Sequence, residues 1–327
     1  MKEVYDITII GGGPSGLFAA FYAGLRQAKV KIIDSSPKLG GQPAILYPEK
    51  KIYDIAGFSE ISAEDFSHNL IQQAMRFSPC LALNQEALDL KQTEEGYYEI
   101  TSDKEKHFSR AVVIASGAGP FQPRRLDLDK ASLYEGHQLH YYVTAIDHFK
   151  DKVVAICGGG DSAVDWALTL EKIAKKVYII HRRDKFRAQE HSVDLLKNSS
   201  VEILTPYVPS SLNGDEKHLD SITIKESRGD NTLTIPVDEF IVSYGFSSSL
   251  HHLKNWGLNF NGQSIPVNQK MQTSRPGIYA IGDIACYDGK IKIIASGLGE
   301  APTAINNAIA YIHPEERVQP MHSSSLL

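Results

Sequence analysis

The chain has 327 residues, room for about two domains of ordinary size, and its 42% apolar and 22% charged residues are those of a soluble globular protein. A net charge of −5 argues against a general nucleic-acid binder, and no apolar run approaches the roughly 20 residues that cross a bilayer. The N-terminus lacks the charged, apolar and small-residue sections of a secretory signal, so a cytoplasmic protein is expected. Cys80, Cys157 and Cys286 are far apart, with no Cys-x-x-Cys pair and no metal-ligand spacing, so no metal is expected.

In chain order, residues 4–10 read as a buried strand and residues 14–26 as a helix that begins inside Gly11-Gly12-Gly13-Pro14-Ser15-Gly16. Gly11 allows the tight turn, Gly13 lets backbone approach a pyrophosphate, and Gly16 lets helix and strand pack closely. Pro14 and Ser15 open the helix, whose free N–H groups and partial positive charge face the phosphates. Residues 30–33 form the next strand, and Asp34 stands where a carboxylate accepts ribose hydroxyls. A glycine-rich turn with no ligand is the bland alternative. The complete order of strand, helix, strand and acid favours a dinucleotide, and the acid suits FAD or NAD and repels the 2′-phosphate of NADP.

The pattern recurs. Residues 153–157 form a strand ending at Cys157, which reads as a packed, inert thiol. Gly158-Gly159-Gly160-Asp161-Ser162-Ala163 follows, with Ala163 in the place of the third glycine, and residues 161–172 form a helix. After the strand 177–180 the acid is missing, and His181-Arg182-Arg183 stands there, with Lys185 and Arg187 nearby. Guanidinium groups at this point grip a 2′-phosphate, so NADP(H) is favoured over a merely solvated basic loop, while His181 reads equally well as structural. Two dinucleotide sites in one chain suggest electrons passing from one dinucleotide to the other.

The expected fold is α/β, with two Rossmann-like, three-layer dinucleotide-binding domains. Residues 1–119 and 245–327 make a discontinuous FAD-binding domain with a tail at 313–327, and residues 120–244 the NADP(H)-binding domain. Two crossings form a natural hinge for rotation of one domain against the other.

With these residues in place, the chain resembles the two-dinucleotide flavoproteins related to thioredoxin reductase. The likeness rests on Gly11–Gly16, Ala115-Ser116-Gly117, Gly158–Ala163 with Arg182-Arg183, and Gly277-Ile278-Tyr279-Ala280-Ile281-Gly282-Asp283. Thioredoxin reductases carry a Cys-x-x-Cys pair shortly before the second fingerprint. Here Tyr142 and Ala145 take that spacing, which excludes dithiol exchange there. The chain is more similar to the thioredoxin-reductase-like type of ferredoxin–NADP reductase. That likeness rests on Gly40-Gly41-Gln42, Leu46-Tyr47-Pro48-Glu49-Lys50, Asp54–Phe58, His181–Arg187, Ala295-Ser296-Gly297, Gly299–Thr303 and the tail Arg317–Ser323.

The resemblance implies FAD and NADP(H), a homodimer, and ferredoxin or flavodoxin as carrier. It implies hydride exchange between NADPH and flavin, then single-electron transfer to or from the carrier. It also implies that Tyr47 covers one flavin face and His322 the other, with Ser323 beside it, and that Gln42, Asp283 and Thr303 contact the flavin nucleotide. Physically, Tyr47 sits in a loop with Pro43 and Pro48, and stacking there contributes on the order of 1 kcal/mol. Asp283 reads as a flavin ligand or as a simple helix N-cap. Ala301-Pro302-Thr303 is expected to start a helix, its positive end aimed at the flavin. The rivals are a flavoprotein reducing a disulfide substrate directly and a nucleotide-binding redox sensor. Deleting residues 318–327 is expected to leave FAD bound but change the electron-transfer rate markedly; unchanged turnover of that truncation rejects a role for the tail.

Overall fold

The computed structural model describes residues 2–119, 121–143, 145–248, 250, 252–315 and 318–319. His322 and Ser323 therefore lie outside the described residues. The chain divides into two compact units, Met1–Phe121 with Ser248–Leu327, and Gln122–Ser247. Among the described residues no helix is long and apolar enough to cross a membrane.

In the first unit, the apolar strand β1 (Val4–Ile10) buries Ile7 and Ile9 completely, and so lies at the centre of a sheet and not at its edge. It pairs in parallel with β2 (Val30–Asp34) on one side and with the strand Lys106–Ile114 on the other. Cys80–Leu83 extends the sheet beyond β2, and Ile278–Ala280 returns late in the chain to pair in parallel with Lys106–Ile114. An antiparallel meander, Ala87–Gln92 and Tyr98–Ser102, completes the seven strands. Helices α1 (Pro14–Leu25) and α3 (Ala63–Met75), together with the last helix, Ile294–Ile312, share one core with Ile7, Ile9 and Val113. The short helix α2 (Gly41–Leu46) lies between β2 and α3 in the chain. The opposite sheet face packs on Leu250, Leu253, Trp256 and Leu258.

The last helix departs from the sequence expectation. It begins at Ile294, so Pro302 is interior and Thr303 is no helix start. Proline there removes one hydrogen bond to Leu298, a cost of roughly 3 kcal/mol. Burial wins, because Ala301, Ala304, Ile305 and Ala308 are fully shielded from solvent. Further along, Asn306 Nδ2 donates to Pro302 O at 2.7 Å and Asn307 Nδ2 to Thr303 O at 2.9 Å. A proline in the first turn and a proline tolerated by packing look alike in sequence.

The second unit repeats the plan. Five parallel strands run in the order Leu139–His140, Glu239–Val242, Val153–Cys157, Lys176–Ile180, Glu202–Leu204. One face carries the helices Asp161–Leu170 and Glu190–Lys197 around Val164, Ala167 and Leu196. The other carries an antiparallel three-stranded sheet, Tyr207–Gly214, Leu219–Glu226 and Thr232–Pro236, which buries Leu212, Ile222 and Ile235. Each unit is thus a three-layer α/β body with its glycine turn at the C-terminal end of the central strand.

Candidate nucleotide-binding sites

At the first turn, Gly11 has φ +110°, and a Cβ there would lie 2.4 Å from the Ala115 carbonyl oxygen. A Cβ on Gly16 would lie 1.9 Å from Gly11 O, so strand and helix touch through bare backbone. Gly13 caps α1 with no side-chain bond, Pro14 supplies the first helical residue, and the first intrahelical bond runs from Leu17 N to Gly13 O at 2.9 Å. The Ser15 and Gly16 N–H groups precede that bond at the helix's positive end, an arrangement that suits an anion.

Asp34 ends β2 as expected. Its Oδ2 accepts from Gly12 N at 2.5 Å and its Oδ1 from Ser36 N at 2.7 Å. Burial raises its pKa, and these two N–H groups oppose the rise. A carboxylate oxygen accepts more than one bond, so Asp34 can hold sugar hydroxyls while it braces the turn.

Three further segments close on this turn. Gly40 N donates to Gly12 O at 2.9 Å, and a Cβ on Gly41 would lie 2.7 Å from Gly13 Cα. A Cβ on Gly117 would come within 3.6 Å of Gln42 Nε2, so Gln42 lies against the Ala115–Gly117 segment. The Ser116 hydroxyl there is buried with no hydrogen-bond partner among the described residues, as fits a place where a polar ligand supplies the bond. Ser15 Oγ would lie 2.8 Å from a Cβ on Gly282 and 2.2 Å from one on Gly297, which joins the first turn to Asp283 and to the true start of the last helix.

Tyr47 terminates α2 and packs against the core that contains α1. Burial pushes its phenol up to about 12, helped by the negative charges of Asp283 and Asp54. Asp283 is exposed in a single turn, Gly282–Ile284, and caps no helix. Gly11, Gly13, Pro14, Ser15, Gly16, Asp34, Gln42, Tyr47 and Asp283 thus converge. Thr303 sits mid-helix, and the positive helix end expected beside it lies instead at Ile294–Gly297, next to Ser15 and Gly282.

At the second turn, Gly158 N donates to Ile180 O at 3.0 Å, and a Cβ on Gly158 would lie 2.6 Å from Ser243 O. Gly160 caps the helix and faces open space, with nothing within 4 Å of a Cβ built on it. Ala163 is buried against this turn; Asp161 and Ser162 are exposed. Asp161 Oδ1 accepts from Gln189 N at 2.9 Å, which ties the helix start to the loop beyond Arg187.

The basic loop wraps this turn. Arg187 N donates to Gly159 O at 2.7 Å, and Ser227 Oγ donates to Arg182 O at 2.9 Å. His181 packs beneath the turn, its Nε2 buried with no hydrogen-bond partner among the described residues. Its ring fills the space beneath Gly159, where a Cβ would lie 2.3 Å away, and packs at a tilt against Phe186, with centroids 5.2 Å apart. Burial and then Arg182, Arg183 and Arg187 hold its pKa down, so it stays neutral and leaves the positive charge to the arginines. Arg182 and Arg183 are exposed, with no side-chain partner among the described residues. A carboxylate braces the first turn and free guanidiniums flank the second.

Residues 5–308 match the family model of the pyridine nucleotide-disulphide oxidoreductases. The chain belongs to this family. It is 57% identical over 325 residues to a ferredoxin–NADP reductase of Halalkalibacterium halodurans, covering 99% of this chain and 98% of that protein. It is 55% identical over 324 residues to ferredoxin–NADP reductase 2 of Listeria welshimeri, with the same coverage. Among solved structures, the thioredoxin reductase of T. acidophilum superposes with a TM-score of 0.79 at 24% identity, covering 96% of this chain and 99% of that one. That last likeness establishes the fold.

Membership in a family named for disulphide chemistry makes the sulfur inventory decisive. Cys80, Cys157 and Cys286 are all free. Cys157 is buried, its thiol pushed up to about 12 by burial, with Sγ 3.4 Å from the Tyr244 hydroxyl. It is a packed thiol, as the sequence suggested, and yields no thiolate nucleophile. Tyr142 and Ala145 stand at the Cys-x-x-Cys spacing, and burial raises the Tyr142 phenol.

One group escaped sequence reasoning as more than part of a motif. Glu300 is 5% exposed in the last helix and accepts from Gly282 N at 2.8 Å, from the Tyr287 hydroxyl at 2.7 Å and from Lys290 Nζ. Lys290 is equally buried, at 4% of its side chain. This ion pair fixes the Gly282–Asp283 turn to the helix. An acid one residue after glycine in an apolar helix was its only signal.

Proposed function

We propose that the chain is an FAD-dependent ferredoxin– or flavodoxin–NADP(+) reductase, with FAD in the unit Met1–Phe121/Ser248–Leu327 and NADP(H) in Gln122–Ser247. One observation carries the reading: two complete glycine turns with opposite charge at the end of the second strand, Asp34 in one and Arg182-Arg183 in the other. FAD and NADP(H) are the cofactors of this family. Bound FAD supplies the conversion between a two-electron nucleotide donor and a one-electron carrier.

The chain's own residues bind, orient and exclude water. Gly11, Gly13, Pro14, Ser15 and Gly16 cradle the FAD pyrophosphate, and Asp34 takes the adenosine ribose. Gln42 and Asp283 flank the flavin end. Tyr47 covers one ring face, kept protonated by burial, and the positive end of Ile294–Ile312 favours the negative charge of a reduced ring. The resemblance assigns cover of the other face to His322, with Ser323 beside it, both outside the described residues. In the second unit Gly158, Gly160, Asp161, Ser162 and Ala163 form the pyrophosphate turn, and Arg182 and Arg183 clasp the 2′-phosphate. No side-chain acid or nucleophile is needed, which agrees with the packed state of Cys157. The enzyme works as a homodimer in the cytoplasm.

The test is anaerobic addition of NADPH to the yellow protein. Bleaching followed by rapid reoxidation with ferredoxin or flavodoxin is expected. Release of thiol from a disulfide substrate, or bleaching with no acceptor turnover, rejects the reductase in favour of a disulfide reductase or a sensor respectively.

A further inference from the structure

The second unit carries a cluster of donors that neither nucleotide site uses. Glu239 opens the strand Glu239–Val242 and pairs with Val154, at the opposite end of the central strand from the Gly158 turn. It is 3% exposed. Its Oε2 lies 2.6 Å from His140 Nε2, and its Oε1 lies 2.9 Å from His148 Nε2 and 2.5 Å from Lys152 Nζ. The donor atoms of His140, His148 and Glu239 all lie within 4.8 Å of one another. The two imidazoles meet edge to face at 5.3 Å, and both pack against Phe149, at 5.4 and 5.1 Å, so their orientations are set by packing.

We propose that His140, His148 and Glu239 form a zinc site in which Zn²⁺ displaces the Lys152 ammonium. Two imidazole nitrogens and one carboxylate are a donor set that suits Zn²⁺ and that Mg²⁺ or Ca²⁺ would not choose. Lys152 already marks the position as one that holds a cation, since its Nζ also lies 3.3 Å from His148 Nε2. An ammonium makes only hydrogen bonds there, whereas the divalent ion gains two nitrogen ligands as well as the carboxylate. Lys152 and His148, 33% and 42% exposed, give the ion a route in and the displaced lysine a route out. Ligand bonds of about 2.0–2.1 Å put tetrahedral donors about 3.3 Å apart, so the 2.6 and 2.9 Å separations at Glu239 must widen by roughly 0.4–0.7 Å. Both imidazoles bind the ion through an unprotonated Nε2. Bound zinc would join Leu139–His140, the turn Ile146–Phe149 and the strand Glu239–Val242.

The experiment takes the chelator-treated, flavin-loaded protein, titrates ZnCl₂ against a chromophoric chelator, and measures zinc retained per chain. One zinc per chain is expected, with an affinity reduced at least 30-fold in His140→Ala and in His148→Ala. Lys152→Met, which removes the competing cation, is expected to tighten binding at least tenfold. NADPH oxidation should stay within about twofold in His148→Ala and Lys152→Met, because the cluster lies at the far end of the sheet. Circular dichroism establishes that each variant is folded. Zinc held equally by all variants marks unrelated surface histidines and overturns the site, as does weaker or unchanged binding in Lys152→Met.

Discussion

Replacing Arg182 and Arg183 together by alanine is expected to raise the KM for NADPH about 100-fold while that for NADH stays within about threefold. Each guanidinium offers the 2′-phosphate charge-assisted hydrogen bonds worth about 1.5–3 kcal/mol. Both side chains are exposed, and solvent screening brings the pair towards the lower end, about 3 kcal/mol, or roughly two decades in affinity. NADH lacks the phosphate and loses nothing of this. The double lysine variant should recover only part of the discrimination, since an ammonium keeps the charge but not the planar fork. Steady-state kinetics with both nucleotides decides it. Equal losses for NADPH and NADH would mean that the loop merely supports the turn through Arg187 N and Gly159 O.

Lys290→Met should destabilise the flavin-loaded protein by about 3–5 kcal/mol, the usual cost of leaving one member of a buried ion pair alone. Glu300 would keep the Gly282 N–H and the Tyr287 hydroxyl but lose its Lys290 cation, at a site where both partners are almost wholly shielded. For a chain of this size that corresponds to a fall in melting temperature of about 4–7 °C. The turn carrying Asp283 loosens with it, so FAD should be released more readily on dilution. Lys290→Met combined with Glu300→Gln removes the unpaired charge and should recover most of the loss, which a simple packing defect at Lys290 would not allow. A single variant melting within about 2 °C of the parent rejects the assignment.

Both glycine turns were legible because their determinants are local. A run such as Tyr5–Ile10 buries itself, a glycine turn follows, and a charged residue stands at the end of the next strand. The failure at Ala301–Thr303 has an equally local cause. Proline is allowed in a first turn by its missing N–H and in an interior only by what the helix buries. The second condition is a property of the sheet beneath Ala304 and Ile305, on which the neighbouring letters are silent. His181 shows the reverse case. Its sequence left two readings open, and only the tertiary structure shows that the ring fits beneath Gly159.

From the sequence alone came the α/β plan, the two glycine turns, the contrast of Asp34 with Arg182-Arg183, and the absence of a dithiol at Tyr142 and Ala145. All of these depend on residue type at short spacing, where chain connectivity itself sets the geometry. Tertiary structure alone placed Gly282 and Gly297 against Ser15, buried Lys290 with Glu300, and gathered His140, His148 and Lys152 around Glu239. Those contacts join residues from distant parts of the chain or depend on burial. Only the packing of layers decides which distant side chains lose their water and must find one another.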